Sequence, residues 1–151
     1  GLSSDESVLR PQPAGGTRGA RQVSASPIRV LVVDDETDFA SALTARLSAR
    51  GFDARFVSSG EEALAALPER TIDVIILDLK MPGMGGLEAL RRIRASFPDI
   101  KVIVLTGHGK VDSGIEGMRA GATDFLLKPV AIETLCTAIE ATIETGRRGG
   151  D

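Results

Sequence analysis

Two short apolar runs end in acid: Asp34 and Asp35 close I-R-V-L-V-V (28–33), and Asp78 closes I-D-V-I-I-L (72–77). Both runs are rich in β-branched residues and nearly continuous in apolar character, the pattern of strands buried on both faces of a parallel sheet. In such sheets the C-terminal strand ends open onto the crevice where ligands bind. Three carboxylates gathered there repel one another, by about 4 kcal/mol per pair at roughly 4 Å and an effective dielectric near 20. A divalent cation relieves that repulsion, and oxygen-only ligands at a strand end favour Mg2+ over zinc.

From Ile28 onward, strand-like and helix-like stretches alternate strictly. A helix carrying Phe39, Leu43 and Leu47 follows the first strand and is stopped by Gly51. Asp53–Val57 is a short second strand, and Ser59 with Glu62 forms a capping box for a helix holding Ala63, Leu64 and Leu67. After the third strand, the turn M-P-G-M-G-G (81–86) leads to a helix with Leu87, Leu90 and Ile93 on one face and Arg91, Arg92 and Arg94 mostly outside. Lys101–Leu105 is the fourth strand, followed by Thr106 and a loop flanked by Gly107 and Gly109. A helix with Val111, Ile115 and Met118 then precedes the brief fifth strand Asp124–Leu127, closed by Lys128-Pro129. The last helix has Ile132, Leu135, Ile139 and Ile143 on one stripe and fades at Gly146. Five βα units predict an α/β sandwich with a parallel central sheet and right-handed crossovers.

The length of 151 residues suits one domain, and 42% hydrophobic with 26% charged residues is a globular composition. Residues 1–27 lack apolar periodicity and are rich in Gly, Ser, Pro, Ala and Arg, so they are expected to be a disordered tail or linker. The folded domain is expected over 28–146, with 147–151 a flexible C-terminus. The chain begins with Gly1 rather than Met, so it is expected to be either a stand-alone regulator acting through its surface or a piece cut from a longer hybrid kinase or regulator, and the linker-like composition before Ile28 tilts slightly to the second. A net charge of −3 argues against direct nucleic-acid or anionic-membrane binding. The lone Cys136 fits a reducing, cytoplasmic setting, and no run is long enough for a membrane span.

Every polar residue of interest falls at a strand's C-terminal end, which a doubly wound sheet brings to one edge. There Asp34 and Asp35 can hold Mg2+, Asp78 can act as ligand and nucleophile, and Thr106 and Lys128 can bind phosphoryl oxygens. Taken alone, Asp34-Asp35 would suit the start of a helix, and Thr106 would be an ordinary capping residue. Their company with Asp78 and Lys128 favours a site instead. His108 has no second histidine to help it and is expected to be an exposed loop residue, Cys136 inert packing, and the arginines at 91–94 a solvated helix face.

V-D-D-E (33–36), L-D-L-K-M-P-G-M-G-G (77–86), L-T-G-H (105–108) and D-F-L-L-K-P (124–129) resemble, in order and spacing, the receiver domain of two-component response regulators. The resemblance covers about residues 28–145, and the chain is similar to chemotaxis-type single-domain receivers. It implies a flavodoxin-like, three-layer (βα)5 sandwich with strand order 2-1-3-4-5. It also implies that Asp78 accepts a phosphoryl group from a histidine kinase or phosphotransfer protein. Asp35, Asp78 and the Lys80 carbonyl would ligate Mg2+, with Asp34 acting through water. Lys128 would contact the phosphoryl group and precede a cis Pro129. Thr106 and Phe125 would form the switch, Phe125 standing where many receivers have Tyr. The output would leave through the face of the fourth helix, fifth strand and fifth helix towards a downstream protein. Lys80 and His108 fall at positions that tune phosphorylation and dephosphorylation rates, and Gly85 stands where Asp or Asn is common.

Other functions fit less well. A dinucleotide-binding domain needs G-x-G-x-x-G in the first βα turn, where this chain has D-D-E-T-D-F. An aspartyl-phosphate hydrolase of the haloacid-dehalogenase type needs a second Asp where Lys80 stands. A degenerate receiver would lack one of the five site residues, and none is missing. An excised receiver of a hybrid histidine kinase, serving as phosphate sink or intermediate, is the alternative within the same family.

Overall fold

The computed structural model describes residues 26–81, 83–107 and 111–150, with backbone alone for 111–114 and 145–150. Most of the tail expected over 1–27 lies outside the described residues, as do Pro82, His108, Gly109, Lys110 and Asp151. Five strands form the sheet: β1 (Arg29–Val33), β2 (Asp53–Val57), β3 (Val74–Leu77), β4 (Lys101–Thr106) and β5 (Asp124–Leu127). All pairings are parallel, in the order β2-β1-β3-β4-β5. The helices are α1 (Thr37–Ala49), α2 (Gly60–Ala66), α3 (Gly86–Ser96), α4 (Val111–Arg119) and α5 (Ile132–Gly150). None among the described residues is long and apolar enough to cross a membrane.

The alternation of side chains along each strand divides the core into two layers. Leu31, Val33, Ile75, Leu77, Val102 and Val104 face Ala63, Leu67, Leu90 and Ile93 on one side. Val30, Val32, Val74, Ile76, Ile103 and Leu105 face Leu43, Leu47, Leu135 and Ile139 on the other. β1 beyond Arg29 and the whole of β3 are buried, as their continuous apolar runs require. β2, one of the two edge strands, shows an exposed pattern. The three-layer sandwich with order 2-1-3-4-5 is therefore the observed fold.

Local signals behave largely as expected. Ser59 Oγ accepts the Glu62 N–H at 3.0 Å, as an N-cap should. The return bond of the box is displaced by one residue, since Glu62 Oε1 accepts from the Ser58 N–H at 2.8 Å. α1 is stopped by Gly51 at φ 96°, just past its C-cap Arg50, with the Phe52 N–H returning to the Leu47 carbonyl.

Three features depart from the sequence pattern. Ile115 and Met118 of α4 do not enter the core: they are 44% and 43% exposed. Buried Gly117 faces the sheet instead, so near that a Cβ there would lie 3.1 Å from Val104 Cγ2. A small residue lets the helix backbone approach the strand, and that rotates the apolar stripe outward. Arg94 is not simply solvated, because its Nη1 donates to the carbonyls of Pro98 at 3.1 Å and Ile100 at 2.7 Å, tying down the turn before β4. Helix α5 runs to Gly150, past the Gly146 at which its pattern fades. Once a helix is anchored by its apolar stripe, each added residue gains a hydrogen bond without a new nucleation cost, set against about 1 kcal/mol for each of Gly146, Gly149 and Gly150.

Candidate phosphoacceptor site

Backbone hydrogen bonds continue past the strands and place the acids. The Asp34 N–H donates to the Val57 carbonyl at 3.2 Å, and the Asp78 N–H donates to the Val33 carbonyl at 3.0 Å. On the other side, the Lys128 N–H donates to the Thr106 carbonyl at 2.7 Å, just before a cis Lys128–Pro129 bond. Asp34, Asp78, Thr106 and Lys128 thus stand in one row on the C-terminal edge of the sheet. Asp34, Asp78 and Thr106 are buried, whereas Asp35 is exposed.

Lys128 is the hub of the charges. Its Nζ lies 2.8 Å from Asp34 Oδ2, 3.1 Å from Glu36 Oε1 and 3.7 Å from Asp78 Oδ2. It also sits 4.4 Å from the centre of the Phe39 ring, within cation–π range. The first two are hydrogen bonds, and the third is too long to be one. Burial alone would lower the ammonium's pKa, but the bonds to Asp34 and Glu36 and the charge of Asp78 hold it above its ordinary value.

Asp34 is engaged at both oxygens, because its Oδ1 accepts the Glu36 N–H at 2.9 Å. Asp78 Oδ1 accepts the N–H of Lys80 at 3.1 Å, two residues on. Burial pushes the Asp78 carboxyl above the usual carboxylate range. The Lys80 N–H and the Lys128 charge counter it, while Asp34 and Asp35 add to the rise.

Each of Asp34, Asp35 and Asp78 offers an oxygen within 4.8 Å of the others. This hard, all-oxygen, partly open donor set fits Mg2+ better than a soft or nitrogen-seeking metal. Lys80 follows directly in the loop, its side chain exposed. The Thr106 hydroxyl is fully buried and has no hydrogen-bond partner. An unpaired buried hydroxyl costs about 1–3 kcal/mol, so a polar occupant of the site would relieve it.

Phe125 is half-buried on β5, in register with Val104, and packs against the layer containing Leu77, Met81 and Val104. Since alternate residues share a face, Thr106 and Phe125 lie on the same side of the sheet. The loop from Asp78 to α3 is closed by Gly86, whose N–H donates to the Leu79 carbonyl at 3.0 Å. Gly85, preceding it, has φ 80° and ψ 154°, a region open essentially to glycine alone. The aspartate or asparagine common there in receivers would not adopt this turn without strain.

Two participants escaped sequence reasoning. Glu36 stands beside the acidic pair in V-D-D-E, and Phe39 carries apolar spacing, so neither signals a contact with Lys128 across the sheet edge. His108, which follows Thr106 in the chain, lies outside the described residues.

Residues 30–140 match the response regulator receiver domain family. A regulatory protein LuxO of Vibrio vulnificus is 36% identical over 112 residues, 74% of this chain and 25% of that protein. A response regulator MprA of a Mycobacterium species is 36% identical over 117 residues, 78% of this chain and 51% of that protein. The chain thus spans a quarter to a half of the length of these relatives. Among solved structures, a receiver domain protein from Clostridium thermocellum aligns with a TM-score of 0.75 and 37% identity, covering 80% of this chain and 97% of that one. The receiver domain of NtrX from Brucella abortus aligns with a TM-score of 0.74 and 33% identity, covering 77% and 98%. With the strand order, the acid cluster and these likenesses in agreement, the chain belongs to the receiver domain family of two-component response regulators.

Proposed function

We propose that Asp78 accepts a phosphoryl group from a phosphohistidine of a histidine kinase or phosphotransfer protein, and that the modified site signals to a downstream protein. The observation that carries this reading is the gap between Asp78 Oδ2 and Lys128 Nζ. At 3.7 Å it is too long for a hydrogen bond, yet it places an ammonium beside a buried carboxylate oxygen. That oxygen attacks phosphorus in line, the bond from phosphorus to the donor nitrogen breaks, and an acyl phosphate forms on Asp78. Lys128 and the Thr106 hydroxyl take phosphoryl oxygens, and the Lys80 N–H, already aimed at Asp78, adds a donor. When bound, Mg2+ neutralises phosphoryl charge and offsets the repulsion among the three acids. Asp35, Asp78 and the Lys80 carbonyl are the proposed direct ligands, with Asp34 acting through water.

The engagement of both Asp34 oxygens supports that division of labour. Asp35→Ala is accordingly expected to weaken Mg2+ binding by at least tenfold, and Asp34→Ala by less. Metal titration of the two variants checks this, and equal losses would contradict the proposed roles.

The output is proposed to leave through α4, β5 and α5, the face on which Ile115 and Met118 are exposed. Thr106 moves towards the phosphoryl group, Phe125 turns inward, and a pre-existing equilibrium shifts. Thr106→Ala should keep the amide shift changes that beryllofluoride causes near Asp78 and lose most of those beyond Phe125. Full propagation in the variant, or a silent face in the wild type, would contradict the switch. Receiver domains are signalling modules, and the exposed Lys80 in place of a second acid gives no support to a dedicated hydrolase. The single, half-buried Cys136 suits the reducing cytoplasm in which such a relay would operate.

A further inference from the structure

Glu36 occupies the N-cap position of α1, where a side chain ordinarily bonds to an N–H of the first helical turn. It makes no such bond. Its carboxylate crosses instead to Lys128, with Oε1 3.1 Å from Nζ. The pairing is asymmetric, because the Glu36 side chain is 67% exposed while that of Lys128 is 16% exposed. An ammonium has three donor hydrogens. Here Asp34 and Glu36 take two of them, and the Phe39 ring covers a further side of the cation. Asp78 is left at 3.7 Å.

Building on the phosphoacceptor reading, we propose that Glu36 is a positioning residue that holds Lys128 off Asp78 in the resting protein and competes with the phosphoryl group for it. Lys128 keeps one hydrogen for a phosphoryl oxygen, but a move of Nζ from Glu36 Oε1 at 3.1 Å towards the Asp78 side at 3.7 Å weakens the bond to Glu36, while the bond to Asp34 can persist. The Glu36 carboxylate also repels the incoming dianion, adding a fourth acid to Asp34, Asp35 and Asp78. Both effects oppose the phosphorylated state, and both vanish if the carboxylate loses its charge. A purely structural Glu36–Lys128 pair would have the opposite consequence, since its loss would leave Lys128 less ordered and weaken phosphoryl binding.

Beryllofluoride, titrated at saturating Mg2+ into wild type and Glu36→Gln, separates these cases. Glutamine keeps the length of the side chain at an exposed position and removes only the charge. The variant is expected to bind beryllofluoride about two- to fivefold more tightly, the range for loss of a partly exposed ion pair. The difference should shrink in about 0.5 M salt, where the screening length falls to several ångströms. Equal or weaker binding by Glu36→Gln, beside normal binding by the wild type, would overturn the role of Glu36 alone. Absence of binding by the wild type would overturn both this role and the phosphoacceptor reading.

Discussion

Asp78→Asn is expected to abolish Mg2+-dependent labelling by acetyl phosphate and to leave a protein that is more stable without metal. The amide has no anionic oxygen to attack phosphorus, so the loss should be complete rather than partial. The stability gain follows from burial. Because the folded protein holds the Asp78 carboxyl above its ordinary range, that group's stabilising contribution is full below the unfolded carboxyl pKa and lost as pH rises through the folded value. Metal-free wild type should therefore lose stability across and above the carboxylate range, and Asp78→Asn should not show that part of the loss. The neutral side chain can still accept the Lys80 N–H that now meets Asp78 Oδ1. At pH 7 the variant should melt a few degrees higher, since about 1 kcal/mol moves a domain of this size by roughly 4 °C. Saturating Mg2+ should narrow the gap by stabilising the wild type. Thermal melts against pH, with and without Mg2+, check each part, and a lower melting temperature for metal-free Asp78→Asn would show that the carboxylate is not held against its charge.

Gly86→Ala should cost about 3 kcal/mol or more, the upper range for an added methyl that has no room. A Cβ at Gly86 would overlap the Asp78 carbonyl oxygen and Leu79 Cα, and would lie 2.8 Å from the Leu79 carbonyl carbon. All of these are backbone atoms of the loop that carries the phosphoacceptor, so they cannot swing aside as a side chain would. The same substitution at Gly117 comes nearest to Val104 Cγ2 at 3.1 Å and Leu79 Cδ1 at 3.3 Å, which are side-chain atoms able to give. Gly117→Ala should accordingly cost less than about 1 kcal/mol. Urea unfolding of both variants measures the contrast. Gly86→Ala should also bind Mg2+ more weakly, because relief of the overlap moves Asp78. A Gly86→Ala protein as stable as Gly117→Ala would contradict the tight closure of this loop.

The residues legible in the sequence are those whose positions the backbone dictates. Val30–Val33 and Val74–Leu77 read as buried parallel strands, and a parallel sheet carries all its strand ends to one edge, so Asp34, Asp78, Thr106 and Lys128 had to converge. What stayed illegible depends on side-chain reach and helix rotation. Lys128 prefers Asp34 and Glu36 to Asp78, a choice among three acids settled by rotamers of a long flexible side chain. α4 turns Ile115 and Met118 outward because Gly117 packs on Val104, and an amphipathic pattern does not say which face a glycine will claim. Arg94, alike in sequence to Arg91 and Arg92, is half-buried and lies within reach of the Pro98 and Ile100 carbonyls, whereas exposed Arg92 pairs with Glu88.

The central claim, that the buried carboxylate facing Lys128 is the group that carries phosphate, has a direct chemical test. The wild-type protein is incubated with acetyl phosphate and Mg2+, then treated with borohydride, which reduces an aspartyl phosphate to homoserine. Peptide mass spectrometry locates the converted residue. The account predicts homoserine at position 78 alone, dependent on Mg2+ and absent from Asp78→Asn. Conversion at Asp34, Asp35 or any other acid, or persistent conversion elsewhere in Asp78→Asn, would contradict it.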